Sequence, residues 1–222
     1  PALAGLPDSG WTDKQRDAFA RVLAEYRASQ LFNADRPESW ANLGNLDARL
    51  GEVTAAEGEF ARAVRLQPQF VPAYMQLAEL YRTSGREASA DSVLRLGLER
   101  VPGNTDLQYQ LGLALIRQGK KADALALLKA AAESGNSHYA YVYGVALFVG
   151  GQGALAVTTL RKALAAAPDD RELLYGLASI AAAAGQREVA LGAARRLAEL
   201  EPGNAEIQGF LAQLEGGGQA TR

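Results

Sequence analysis

The side chains that most often carry chemistry are scarce in this chain of 222 residues. His138 is the only histidine, so a Ser-His-acid arrangement or a histidine metal site would have to use it alone; it reads as a solvated residue near a helix start. Cysteine is absent, which excludes disulfides, thiolate metal sites, cysteine nucleophiles and thioether haem attachment within this chain, and leaves the redox compartment unread. Gly150-Gly151-Gln152-Gly153 has the glycine content of a phosphate-binding loop. No Lys-Ser/Thr pair follows it and no strand pattern precedes it, so it reads as a turn between helices. Carboxylates are numerous, yet no pair stands out from a solvated Arg- and Glu-bearing surface. With no complete catalytic constellation, the expectation is a protein that is not an enzyme and that holds no cofactor or metal.

Charge and hydropathy narrow the partners. Lys and Arg number 23 against 25 Asp and Glu, a net charge of −2, so no field of one sign draws the chain to nucleic acid or an anionic membrane. The longest strongly apolar stretch, Tyr139 to Val149, runs into glycines at 150, 151 and 153 and falls short of the roughly 18 residues of a membrane helix, so no membrane insertion is expected. The chain opens at Pro1 with neither an initiator Met nor a signal-peptide pattern, which reads as a piece of a larger precursor.

The elements that must position any site follow from a repeat. Glycines at 51, 85, 119, 151 and 185 are spaced by 34, 34, 32 and 34 residues, alanines at 56, 90, 124, 156 and 190 keep the same step, and prolines at 68, 102, 168 and 202 share the register. The units are 37–70, 71–104, 105–136, 137–170 and 171–204. Apolar residues recur at helical spacing on both sides of each central glycine, so every unit reads as a helix pair. The glycine suits the end of the first helix, the proline stops the second, and Asn104, Asn136, Asp170 and Asn204 stand as caps before new helices. Residues 1–36 are expected to form an N-terminal segment with a capping helix over about 12–30, begun by a Thr12/Gln15 capping box; 205–215 are expected to form a C-terminal capping helix, and 216–222 a disordered tail. The third unit is two residues short, so its connector or its second helix must be shorter.

Trp40, Leu43, Gly44, Ala56, Phe60, Ala63 and Pro68 resemble the tetratricopeptide repeat (TPR) pattern, with Asp47 in place of its Tyr. The second unit carries Tyr74, Leu77, Ala78, Tyr81, Ala90 and Pro102. The resemblance implies an all-α fold, a right-handed superhelix (α-solenoid) of antiparallel helix pairs, with Trp40 in the core. More narrowly, Phe32-Asn33-Ala34-Asp35-Arg36-Pro37-Glu38, Phe70-Val71-Pro72-Ala73-Tyr74 and Tyr139-Ala140-Tyr141-Val142-Tyr143 resemble the TPR region of bacterial multihaem c-type cytochrome proteins. That resemblance implies a haem-bearing part outside this chain and a periplasmic or exported location.

In TPR proteins a second stripe on each first helix, at positions 5, 9 and 12 of a unit, lines a concave groove. Here, with flanking residues, it provides Asn45, Arg49, Glu79 and Arg82, then Tyr109, Leu113, Ile116, Tyr141, Val145, Phe148 and Tyr175. Its character thus turns from polar to apolar and Tyr-rich, which points to a non-enzymatic scaffold that binds a protein or peptide segment with an apolar face. Close packing of these side chains on one another is the competing explanation. A carboxylate clamp is excluded, because Ala41 stands where such clamps have Lys, and Asp106 and Gln110 where they have basic groups. The rival readings are an accessory domain of a cytochrome or electron-transfer protein, and a self-associating, homo-oligomeric module.

Overall fold

The computed structural model describes residues 10–216, and these form twelve α-helices with no strand among the described residues. They are α1 (Asp13–Phe32), α2 (Pro37–Arg49), α3 (Val53–Leu66), α4 (Val71–Thr83), α5 (Glu87–Arg100), α6 (Thr105–Arg117), α7 (Lys121–Ala132), α8 (Ser137–Val149), α9 (Gly153–Ala166), α10 (Arg171–Ala183), α11 (Arg187–Leu200) and α12 (Ala205–Gly216). Two compact units divide the chain, Pro1–Gln110 and Leu111–Arg222, with the boundary inside α6. Of the expected tail, Gly216 ends α12 and the remainder lies outside the described residues.

Local chemistry places the helix ends. Thr12 caps α1: its Oγ1 accepts from the Gln15 N–H at 3.3 Å, while Gln15 Oε1 accepts from the Thr12 N–H at 2.8 Å. Asn104, Asn136, Asp170 and Asn204 accept in the same way from the N–H groups of Leu107, Tyr139, Leu173 and Ile207. At the other end of each first helix the glycine at 51, 85, 119, 151 or 185 has a φ between +73° and +81°. The next residue's N–H then reaches back five residues, as in Glu52 to the Asp47 carbonyl and Gln186 to the Ala181 carbonyl, both 2.8 Å. This closure satisfies carbonyls the helix leaves open, and its left-handed residue is cheap only for glycine. The two residues missing from the third unit come out of α7, which has 12 residues where α3, α5, α9 and α11 have 14.

Packing within the pairs is set by close approach. A Cβ on Gly44 would stand 2.7 Å from the Phe60 ring, on Gly112 2.8 Å from Leu128, and on Gly144 2.7 Å from Leu160, so α2, α6 and α8 each lie against the following helix through a large apolar side chain. In Pro1–Gln110, Trp40, Leu43, Ala63 and Ala73 form a core cluster. There Trp40 Nε1 donates to the Ala34 carbonyl at 2.7 Å, and Tyr74 Oη donates to the Pro68 carbonyl at 2.8 Å. Each aromatic thus ties its helix to a connector six residues back. In Leu111–Arg222, α8 to α11 enclose a leucine- and alanine-rich core that α12 closes with Ile207.

Candidate functional site

The stripe residues differ in accessibility, and each half of the chain has its own pattern. In Pro1–Gln110, Ala41 is buried, Asn45 is half-buried and Arg49 is exposed; Asn45 and Arg49 line a shallow cleft with Tyr26 of α1 and Asn42. Glu79 and Arg82, one helical turn apart on α4, are exposed and paired, with Arg82 Nε donating to Glu79 Oε2 at 2.7 Å. Tyr109 is half-buried.

In Leu111–Arg222 the stripe is apolar. Leu113 is half-buried and Ile116 is 38% exposed on α6; Tyr141, Val145 and Phe148 on α8 are half-buried against the core; Tyr175 on α10 is 47% exposed. The two tyrosines differ because of what stands 35 residues later. Tyr141 meets Gly176, where a Cβ would come within 2.6 Å of its ring, whereas Tyr175 meets Phe210 of α12, centroid to centroid at 5.8 Å and 42° between planes. Phe210 lies within the capping helix expected over 205–215. The shared 35-residue spacing is the signal that pairs it with Tyr175.

His138 is exposed, and its Nδ1 lies 3.0 Å from both carboxylate oxygens of Glu172, which bridges α8 and α10. Among the described residues no group of three His, Cys, Asp or Glu is placed to hold a metal ion. Sequence reasoning also missed a charged cluster in the first half. Asp47, 2% exposed, accepts from both terminal guanidinium nitrogens, Nη1 and Nη2, of Arg27 from α1. Glu59 of α3 faces the same point; burial and the neighbouring Asp47 charge push its carboxyl up to about 7 against the pull of Arg27, and its Oε2 is buried without a hydrogen-bond partner. One repeat on, the polarity reverses. Tyr81, at the position matching Asp47, donates to Glu57 Oε1 at 2.7 Å, and Arg86 reaches Glu57 Oε2 at 2.9 Å. The Tyr81 hydroxyl first, and then Arg86, hold the Glu57 carboxyl below its ordinary value.

A family model for the tetratricopeptide repeat matches residues 69–201, more than half of the chain. The chain belongs to the tetratricopeptide repeat family. TPR proteins typically mediate protein–protein interaction and are generally non-enzymatic scaffolds. Solved TPR structures share the fold. YrrB, described as a TPR protein with an unusual peptide-binding site, is 20% identical, covers 82% of this chain and 95% of its own, and has a TM-score of 0.59. PilF of Pseudomonas aeruginosa is 18% identical over 85% of this chain and 84% of its own, with a TM-score of 0.63. Yeast Tom70 is 16% identical over 86% of this chain and 42% of its own, with a TM-score of 0.67. At these identities the likeness is one of fold. No curated protein sequence matches the chain.

Proposed function

We propose that this TPR chain is a non-enzymatic scaffold whose first-helix stripe binds a partner-protein segment with an apolar face. The observation that carries this reading is the accessibility of Ile116 and Tyr175 beside half-buried Leu113, Tyr141, Val145 and Phe148, an apolar surface where a solvated helix face would be polar. Half-buried aromatics are strong anchors, because they are already ordered and offer large contact area. In the first half the stripe residues Asn45, Arg49, Glu79 and Arg82 are polar, suited to setting direction and register more than affinity. The peptide-binding site named for YrrB supports the same use of the fold.

The test is selection of displayed peptides on the immobilised chain, followed by calorimetry of an enriched peptide. Ile116→Ser with Phe148→Ala should cost about 2 kcal/mol or more, roughly 30-fold in Kd, at unchanged helical content, while Arg82→Ala costs only a few-fold. Equal affinity of the double variant and the parent would overturn the reading.

A further inference from the structure

We infer that the cleft between α10, the end of α11 and α12, floored by the Tyr175 and Phe210 rings, is a subsite for an arginine or lysine side chain of the partner. The idea rests on the partner-binding reading for the nature of the ligand, but the chemistry of the cleft stands by itself.

The floor arises from one substitution in the repeat. Where Tyr141 packs over the bare backbone of Gly176, Tyr175 meets the side chain of Phe210 at the matching place, so its ring is held up and remains 47% exposed. Two aromatic rings, 5.8 Å apart, therefore floor an open cleft that Leu197 and Ile207 also line. Aromatic faces carry a negative quadrupole and attract cations, best of all a guanidinium that can also stack.

The walls have the same sign. Glu172, Glu201 and Glu206 line the cleft against one guanidinium, that of Arg171. Arg171 is committed to Glu201, Nε to Oε1 at 3.1 Å, and Asn204 donates to the other Glu201 oxygen at 2.8 Å. Glu172 faces His138. Glu206, in the first turn of α12, has no ion-pair partner among the described residues and is exposed at the rim. A carboxylate entering this cleft would meet like charge. An aliphatic side chain would gain the floor but nothing from the walls, whereas a long cationic side chain lays its stem on the rings and its head among the carboxylates.

The experiment titrates the whole chain, carrying 13C-labelled aromatic rings, with N-acetyl-arginine amide, and uses N-acetyl-norleucine amide as the uncharged comparison. The arginine compound should shift the Tyr175 and Phe210 ring signals saturably, with a midpoint on the order of 10 mM, and the norleucine compound should do so several-fold less tightly. Tyr175→Ala should abolish the Phe210 shift, and Glu206→Gln, an exposed change that leaves the fold alone, should weaken binding about threefold. The proposal is overturned if norleucine amide binds as tightly, if Tyr175→Ala leaves the shift unchanged, or if arginine amide moves neither ring. Selected peptides that bind the stripe without arginine amide moving the rings would remove the subsite alone. Arginine amide binding to a chain whose stripe takes no peptide would remove the scaffold reading alone.

Discussion

Tyr141 packs against Gly176 so closely that a Cβ on the glycine would stand 2.6 Å from Tyr141 Cε2 and 2.7 Å from Cδ2. The contact joins α8 to α10 and decides which stripe tyrosine is packed and which is presented. Gly176→Ala gains helix propensity of about 1 kcal/mol but forces the Tyr141 ring out of place, for a net loss of about 1–2 kcal/mol. Urea denaturation should show that loss, and a combination with Tyr141→Ala should be markedly less than additive, since the two changes share one contact.

Arg27→Met should destabilise the first half by about 2 kcal/mol. Asp47 would be left buried without its counter-charge, and the usual cost of breaking such a pair is reduced here because Arg27 is 37% exposed. Adding Asp47→Asn should recover part of the loss. Tryptophan fluorescence during urea unfolding checks both, with Trp40 in the core of this half.

Glu59 gives the first half a definite pH dependence. Its folded-state pKa of about 7 exceeds the ordinary 4.5, so the folded chain holds a proton that the unfolded chain releases. Stability from this group therefore falls as pH rises from about 4.5 to about 7 and levels off above that. Glu57 acts oppositely: its lowered pKa adds stability above the ordinary carboxylate value that is lost as pH falls through the folded one. Glu59→Gln should flatten the slope between pH 5 and 7 and raise stability above pH 7 by on the order of 1 kcal/mol, read as Tm against pH.

Asp170→Ala should cost about 1 kcal/mol, because the Asp170 carboxylate accepts from the Leu173 N–H at 2.9 Å at the start of α10. Hydrogen exchange at Leu173 should quicken, and a lowered Tm should accompany it.

Legible in the amino-acid order alone were the helix class and the chemistry of several helix ends. Those features depend on interactions within a few residues: the left-handed glycine at 51 or 185, the caps at Asn136 and Asp170, and the prolines after the second helices. Which stripe side chains are accessible depends instead on long-range packing. Tyr141 and Tyr175 have the same type and the same repeat position, yet one faces a glycine and the other a phenylalanine 35 residues away. Asp47 likewise departs from the repeat pattern, and its partner is Arg27, twenty residues earlier on α1. A side chain's exposure and partners are set by whatever the neighbouring helix presents, and that pairing is a long-range packing outcome which local periodicity does not contain.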